Sequence, residues 1–147
     1  MEVREVMSRD VQMTSPRDSI ESAAKMMAQT DCGSLPVADN DRLVGVVTDR
    51  DIVVRAVARG KSPAECTVND VMSAGIKYVY EDEAADIAAQ SMSRLQVRRL
   101  PVLNRRKRLV GIVALGDLAT KNNGPMIGKA LKEISKARPS GASGARH

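Results

Sequence analysis

The sequence predicts an α/β (α+β) fold built from two copies of one β-α-β-β-α unit, and three observations predict it. The chain is written twice: at a shift of 65 residues "VREVMS" (3–8) falls on "VNDVMS" (68–73), and "SLPV" (34–37) falls on "RLPV" (99–102). At a shift of 66, "RLVGVVTDRDI" (42–52) falls on "RLVGIVALGDL" (108–118), and over 3–37 and 42–51 together 16 of 45 aligned positions are identical. Chance gives about two or three, so the repeat is the first fact to explain. Second, each copy alternates short apolar runs with a stretch of helical period. Third, a half of about 60 residues is marginal alone, so two copies packed sheet to sheet about a pseudo-twofold axis would share one apolar face.

The elements follow in chain order. "VQMTS" and "IKYVY" are expected to be short strands. Ile20, Ala23, Ala24 and Met27 then recur on one helical face, matched by Ala85, Ala88, Ala89 and Met92. Ser15, Pro16 and Asp18 supply start signals for the first of these helices. The strand around "LPV", a polar turn ("ADND" or "LNRRK") and the strand "LVGVV" or "LVGIV" form a hairpin, whose turn absorbs the extra residue. A second helix opens at Thr48-Asp49, runs through Ile52, Val53, Ala56 and Val57, and stops at Gly60. The divisions are thus 1–60, 61–120, and a C-terminal part over 121–147. In the last, "GPMIGKALKEISKA" (124–137) places Ile127, Leu131 and Ile134 on one stripe of an amphipathic helix, and "RPSGASGARH" has the composition of a disordered end.

Charge and composition narrow the function. Residues 1–120 hold 17 Lys+Arg and 17 Asp+Glu, so the net +5 comes from the C-terminal part, where Lys121, Lys129, Lys132, Lys136, Arg138 and Arg146 outweigh Glu133. A neutral body with a basic appendage argues against nucleic acid as partner. No apolar stretch reaches the roughly 18 residues a membrane span needs, and "MEVREVMSRD" has no signal-peptide apolar region, which makes the cytoplasm the expected location. Cys32 and Cys66 form no disulfide framework or metal motif, and the one histidine is His147, so metal and histidine acid-base chemistry is not expected. No nucleophile-base pair or Gly-rich phosphate loop suggests an enzyme. With Trp and Phe absent, only Tyr78, Tyr80 or an arginine could stack on a base. The "RRKR" run (105–108) falls at a hairpin turn and is most simply a solvated loop.

"GVVTDRDIV" (45–53) carries the chemistry. Its four polar residues between apolar runs fit a helix start in which Thr48 or Asp49 is the cap and Asp51 meets the positive end. They equally fit a sugar and phosphate site, and both can hold because a helix N-terminus also attracts anions. Arg50 lies between the two motif residues, within reach of a phosphate or simply exposed.

The doubled pattern of "VMS", a strand, a helix, "LPV", a turn and then "G-h-h-(T)-x-x-D" (h apolar, x any residue) resembles a pair of CBS domains, the module named after cystathionine beta-synthase. It covers 1–120, and "TDRDIV" and "QVRRLPV" are similar to the small stand-alone bacterial CBS-pair proteins. The resemblance implies a non-catalytic regulatory module that binds AMP, ADP, ATP, NAD or S-adenosylmethionine in two clefts between the repeats, as a homodimer acting on a downstream protein the sequence does not name. In the first cleft, it implies, Asp51 takes the ribose hydroxyls and Thr48 the phosphate, while Met72, Ile76, Lys77, Val97 and Arg98 border the adenine. In the second, Asp117 takes ribose and Arg99 phosphate, with Met7, Val11, Gln12, Cys32, Gly33 and Ser34 on the adenine side. Ala114 stands where Thr48 stands in the first copy, so the second cleft lacks a hydroxyl whose bond to a charged group is worth roughly 1.5–3 kcal/mol. It is the weaker nucleotide candidate of the two, or one tuned to a different ligand.

Overall fold

The computed structural model describes residues 1–121 and residue 134. The chain forms two compact units, whose limits differ from the sequence repeats. One is contiguous, Gln12–Ile76; the other is split, joining Met1–Val11 to the described residues from Lys77 onward.

In the contiguous unit, α1 (Ile20–Thr30) is followed by a hairpin of β1 (Ser34–Asp39) and β2 (Arg42–Thr48), then by α2 (Asp49–Arg55). The strands are antiparallel, with a bulge between Val37 and Ala38. They turn at Asn40 and Asp41, both in the left-handed region at φ 52° and 66°. A two-residue hairpin turn matches the strand twist only in that mirror-image conformation, which Asn and Asp tolerate better than most side chains. The helix expected to run through Val57 to Gly60 ends instead at Arg55, because Ala56 leaves the helical conformation (φ −123°, ψ −62°), and a separate 3-10 turn over Val57–Arg59 reaches the stop at Gly60, φ 70°. Residues Val68–Val71 then form one helical turn, α3.

Three further expectations for this unit are corrected. The strand expected over 11–15 is a single parallel bridge, Thr14 to Val37, made by Thr14 N–H to Pro36 O (3.0 Å) and Ala38 N–H to Thr14 O (2.9 Å). It goes no further because Pro16 has no N–H to give, whereas its counterpart Glu81 donates to the Leu103 carbonyl at 2.9 Å; the Asp18 carboxylate accepts the Ser15 N–H and the Thr14 hydroxyl (both 3.0 Å). The first helix is therefore capped not by Ser15 but by Ser19, whose hydroxyl accepts the Ser22 N–H at 3.1 Å. Ile20, Ala23 and Met27 are buried as expected, whereas Ala24 is exposed. The core adds Leu35, Val37, Val47, Val68 and Val71.

In the split unit, β3 (Val79–Tyr80) runs parallel to β4 (Arg99–Leu103), which pairs antiparallel with β5 (Leu109–Ala114). Helix α4 (Ala85–Leu95) buries all four residues expected of it, Ala85, Ala88, Ala89 and Met92. Helix α5 (Leu115–Lys121) follows β5 directly. The expected helix over 124–137 and the tail beyond it lie outside the described residues, apart from Ile134, which is buried in this unit's core.

The "VMS" segments explain the offset between repeat and unit. Val3 and Val6 are buried in the core of the split unit, where Ser8 bridges Ile112. Val68 and Val71 are buried in the contiguous unit, where Ser73 bridges Val46. Each segment crosses a glycine. A Cβ on Gly45 would lie 2.8 Å from the Ser73 carbonyl oxygen, and one on Gly111 would lie 2.8 Å from that of Ser8 and 2.6 Å from Met7 Sδ. The glycine shared by "LVGVV" and "LVGIV" is thus where this close approach of two backbones needs a residue without a side chain.

Candidate functional site

The polar stretch after β2 is a reciprocal cap. The Thr48 hydroxyl accepts the Asp51 N–H at 3.0 Å, and Asp51 Oδ2 accepts the Thr48 N–H at 2.9 Å. Thr48, not Asp49, is thus the cap residue, and two of the backbone donors that a helix start leaves unpaired are satisfied. The Asp51 side chain is only 13% exposed, with Oδ1 lying 3.9 Å from Arg55 Nε one turn on. Arg55 in turn donates through Nη1 to the carbonyls of Val71 (3.1 Å) and Met72 (3.4 Å). A fixed carboxylate, a threonine and the Met72 backbone are therefore linked within one unit. Arg55 was not among the sequence candidates; its place one turn after Asp51 was the available signal.

Other candidates lie beside this turn. The Gly33 carbonyl accepts the Asp49 N–H at 2.9 Å, and Ser34 is the strand partner of Thr48. Arg50 is exposed. Gln12, Cys32 and Ile76 belong to the same contiguous unit.

The split unit holds Met7, Val11, Lys77, Val97, Arg98, Arg99 and Asp117. Around its motif the backbone repeats the pattern: the Arg98 carbonyl accepts the Leu115 N–H at 2.8 Å, and Arg99 is the strand partner of Ala114. The side chains do not repeat it. Ala114 has no oxygen to cap α5, and Asp117, half-buried, has no hydrogen bond or ion pair among the described residues. Met7 packs at Gly111 as Met72 does at Gly45.

The basic turn differs from expectation at one residue. Arg105 is not simply solvated: its Nε donates to both Asp82 carboxylate oxygens (3.1 and 3.0 Å), and its guanidinium lies 4.0 Å from the Tyr80 ring centroid. The Arg105 hydrogen bond holds the Asp82 carboxyl below the usual carboxylate range. Tyr80 also meets Tyr78 edge to face, with ring centroids 5.4 Å apart.

Among the described residues, no group of three or more His, Cys, Asp or Glu side chains could hold a metal ion, and no helix is long and apolar enough to cross a membrane.

Comparison with known proteins accounts for both halves. The CBS domain matches twice, over residues 3–57 and 68–123. The chain is 38% identical over 134 residues to the CBS domain-containing protein YhcV of Bacillus subtilis (strain 168), covering 90% of this chain and 94% of that one. It resembles the structure of Hypoxic Response Protein I with two coordinated zinc ions (TM-score 0.74, 35% identity, 82% of this chain and 98% of that one). Two further structures hold adenosine compounds. CBSX2 in complex with AMP has a TM-score of 0.69 and 26% identity, over 81% of this chain and 93% of that one. The CBS domain pair of protein MJ0100, with 5'-methylthioadenosine and S-adenosyl-L-methionine, has a TM-score of 0.66 and 30% identity, over 82% and 94%.

Proposed function

Because this chain belongs to the CBS domain family and carries the domain twice, we propose that it is a non-catalytic regulatory module whose ligand is an adenosine compound of the AMP, ADP, ATP, NAD or S-adenosylmethionine class. The observation that carries the reading is the Asp51 carboxylate, nearly buried and fixed at the start of α2 by its exchange of hydrogen bonds with Thr48. A ribose diol offers two O–H donors, and a held carboxylate retains acceptor sites for both. Thr48 meets the phosphate or its equivalent, and Met72 lies on the base side, tied to Asp51 through Arg55. Asp117 is the ribose residue of the split unit, where Ala114 makes binding weaker. The AMP and S-adenosylmethionine complexes of similar proteins support the ligand class. A homodimer belongs to the same reading, since Val53, Val54 and Val57 on and just after α2 are 55%, 44% and 58% exposed, and a second copy would cover them.

Thermal unfolding with AMP, ADP, ATP, NAD and S-adenosylmethionine in turn, on protein freed of co-purified nucleotide, tests the proposal. A ligand at about a hundred times its dissociation constant adds roughly 2.7 kcal/mol, which for a chain of this size is on the order of 5–10 °C in Tm. Asp51→Asn, which keeps an acceptor for the Thr48 N–H, should abolish most of the shift. An absent shift, or one that Asp51→Asn leaves intact, would refute the reading.

A further inference from the structure

Each unit carries an ion pair between the loop before its first α-helix and the tip of its hairpin (Asp39 at the end of β1, Arg105 in the turn after β4), and the two pairs have opposite polarity. In the contiguous unit the loop holds the cation: Arg17 Nη2 donates to Asp39 Oδ1 at 3.0 Å. In the split unit the loop holds the anion: Asp82 accepts from Arg105, with Nη2 to Oδ1 at 2.9 Å. Arg17 and Asp82 correspond at the 65-residue shift, and Asp39 and Arg105 at the shift of 66 that prevails beyond the extra turn residue. Their surroundings correspond too. The Asp18 carboxylate accepts the Ser15 N–H as that of Glu83 accepts the Tyr80 N–H. The carbonyls of Pro16 and Asp18 receive Asn69 and Val68, as those of Glu81 and Glu83 receive Arg4 and Val3.

A duplicated chain faces a pairing problem that a single copy does not. Both hairpins present "LPV" to the segment that bridges them, Thr14 in one unit and Val79–Tyr80 in the other, so the strand-loop-helix pieces 12–30 and 77–95 are candidates for exchange. Backbone hydrogen bonding and small-residue helix faces do little to tell the pieces apart. Charge does. After exchange Arg17 would face Arg105 and Asp82 would face Asp39, turning two attractions into two repulsions.

We propose that the reversed polarity of Arg17–Asp39 and Asp82–Arg105 is a pairing code by which the chain keeps its two copies in their own hairpins. All four side chains are at least a third exposed, so neither pair contributes much to the stability of the finished fold. Their effect lies in the difference between right and wrong pairing, within one chain or between two, as in other cases where like charges are set against an alternative.

The test uses full-length variants refolded from urea by dilution at low salt, with the yield of native protein measured by size exclusion. Arg17→Asp with Asp39→Arg keeps a pair in its own unit but gives both units the same polarity; Asp82→Arg with Arg105→Asp does the same from the other side. Each double variant should refold with a yield lower by roughly threefold to tenfold over the two sites; the urea midpoint should be unchanged in the first, which is the decisive one, and at most slightly lower in the second, where the Arg105 contact with the Tyr80 ring is also lost. The quadruple variant restores opposite polarity and should recover the yield. In about 1 M NaCl, where screening shortens charge interactions to about 3 Å, the differences should close. Doubles that refold like the parent, a quadruple no better than the doubles, or a yield loss that tracks a lowered urea midpoint would each overturn the proposal.

Discussion

The helix starts of the two units solve one problem in different ways. In the contiguous unit hydroxyls do it: Ser19 caps α1 and Thr48 caps α2. In the split unit the corresponding residues are Ala84 and Ala114, and α4 has no side-chain cap. Burial takes over there. Asp49, exposed at the start of α2, becomes Leu115, which is 3% exposed, and the half-buried Ile52 becomes Leu118, which is fully buried. Helix α2 buries no residue at all. One backbone is thus held by oriented polar atoms in one copy and by apolar area in the other. Only the first arrangement leaves a carboxylate in a fixed polar frame, which is why the adenosine reading rests on Asp51 more than on Asp117.

The comparison can be broken hardest at the buried end. Leu118→Ala should cost about 3 kcal/mol, within the range for emptying a full leucine site, whereas Ile52→Ala should cost about 1 kcal/mol because its site is already half open to water. Urea unfolding of the two variants measures the contrast, and equal losses would show that α2 depends on burial after all. At the polar end the units can be interconverted. Thr48→Ala should cost about 1 kcal/mol of stability and weaken any nucleotide response, while Ala114→Thr should gain at most a similar amount. The same urea titrations, with the thermal shifts repeated, read both. The smallest effect concerns Asp82. Its folded pKa lies below the unfolded value, so its contribution is present above the ordinary carboxylate range and is lost as pH falls through the folded pKa. Asp82→Asn should therefore be slightly less stable than the parent near neutrality and should converge with it in acid, as thermal scans between pH 7 and pH values of about 2–3 would show.

Much of the fold is local and was therefore legible. The hairpins, the helices and the Gly60 stop follow from periodicity and turn residues. The first strand is shorter than its pattern suggests because Pro16 lacks the N–H that its counterpart Glu81 gives to Leu103, and the helix starts at Ser19, whose hydroxyl accepts the Ser22 N–H. Ala24 shows a limit of repeat reasoning, since its counterpart Ala89 is buried and it is not. Of the candidate site, the Thr48 and Asp51 motif was visible as a spacing. Its tie to Met72 through Arg55 was not, because that bond closes over 16 and 17 residues of chain. From sequence Arg105 reads as solvated, because nothing local in "RRKR" announces Asp82, 23 residues earlier.

The crossing of segments also has a consequence for synthesis on the ribosome. Every residue of the unit 12–76 is available once Ile76 has emerged. Val3 and Val6, made before it, have no groove to enter until β5 is complete, since Ser8 waits for Ile112, 104 positions later. At translation rates of about 5–20 residues per second the wait lasts several seconds. During it Val3 and Val6 stay uncovered, open to chaperones, to proteases and to a neighbouring nascent chain. The segment 1–11 is thus among the last to fold.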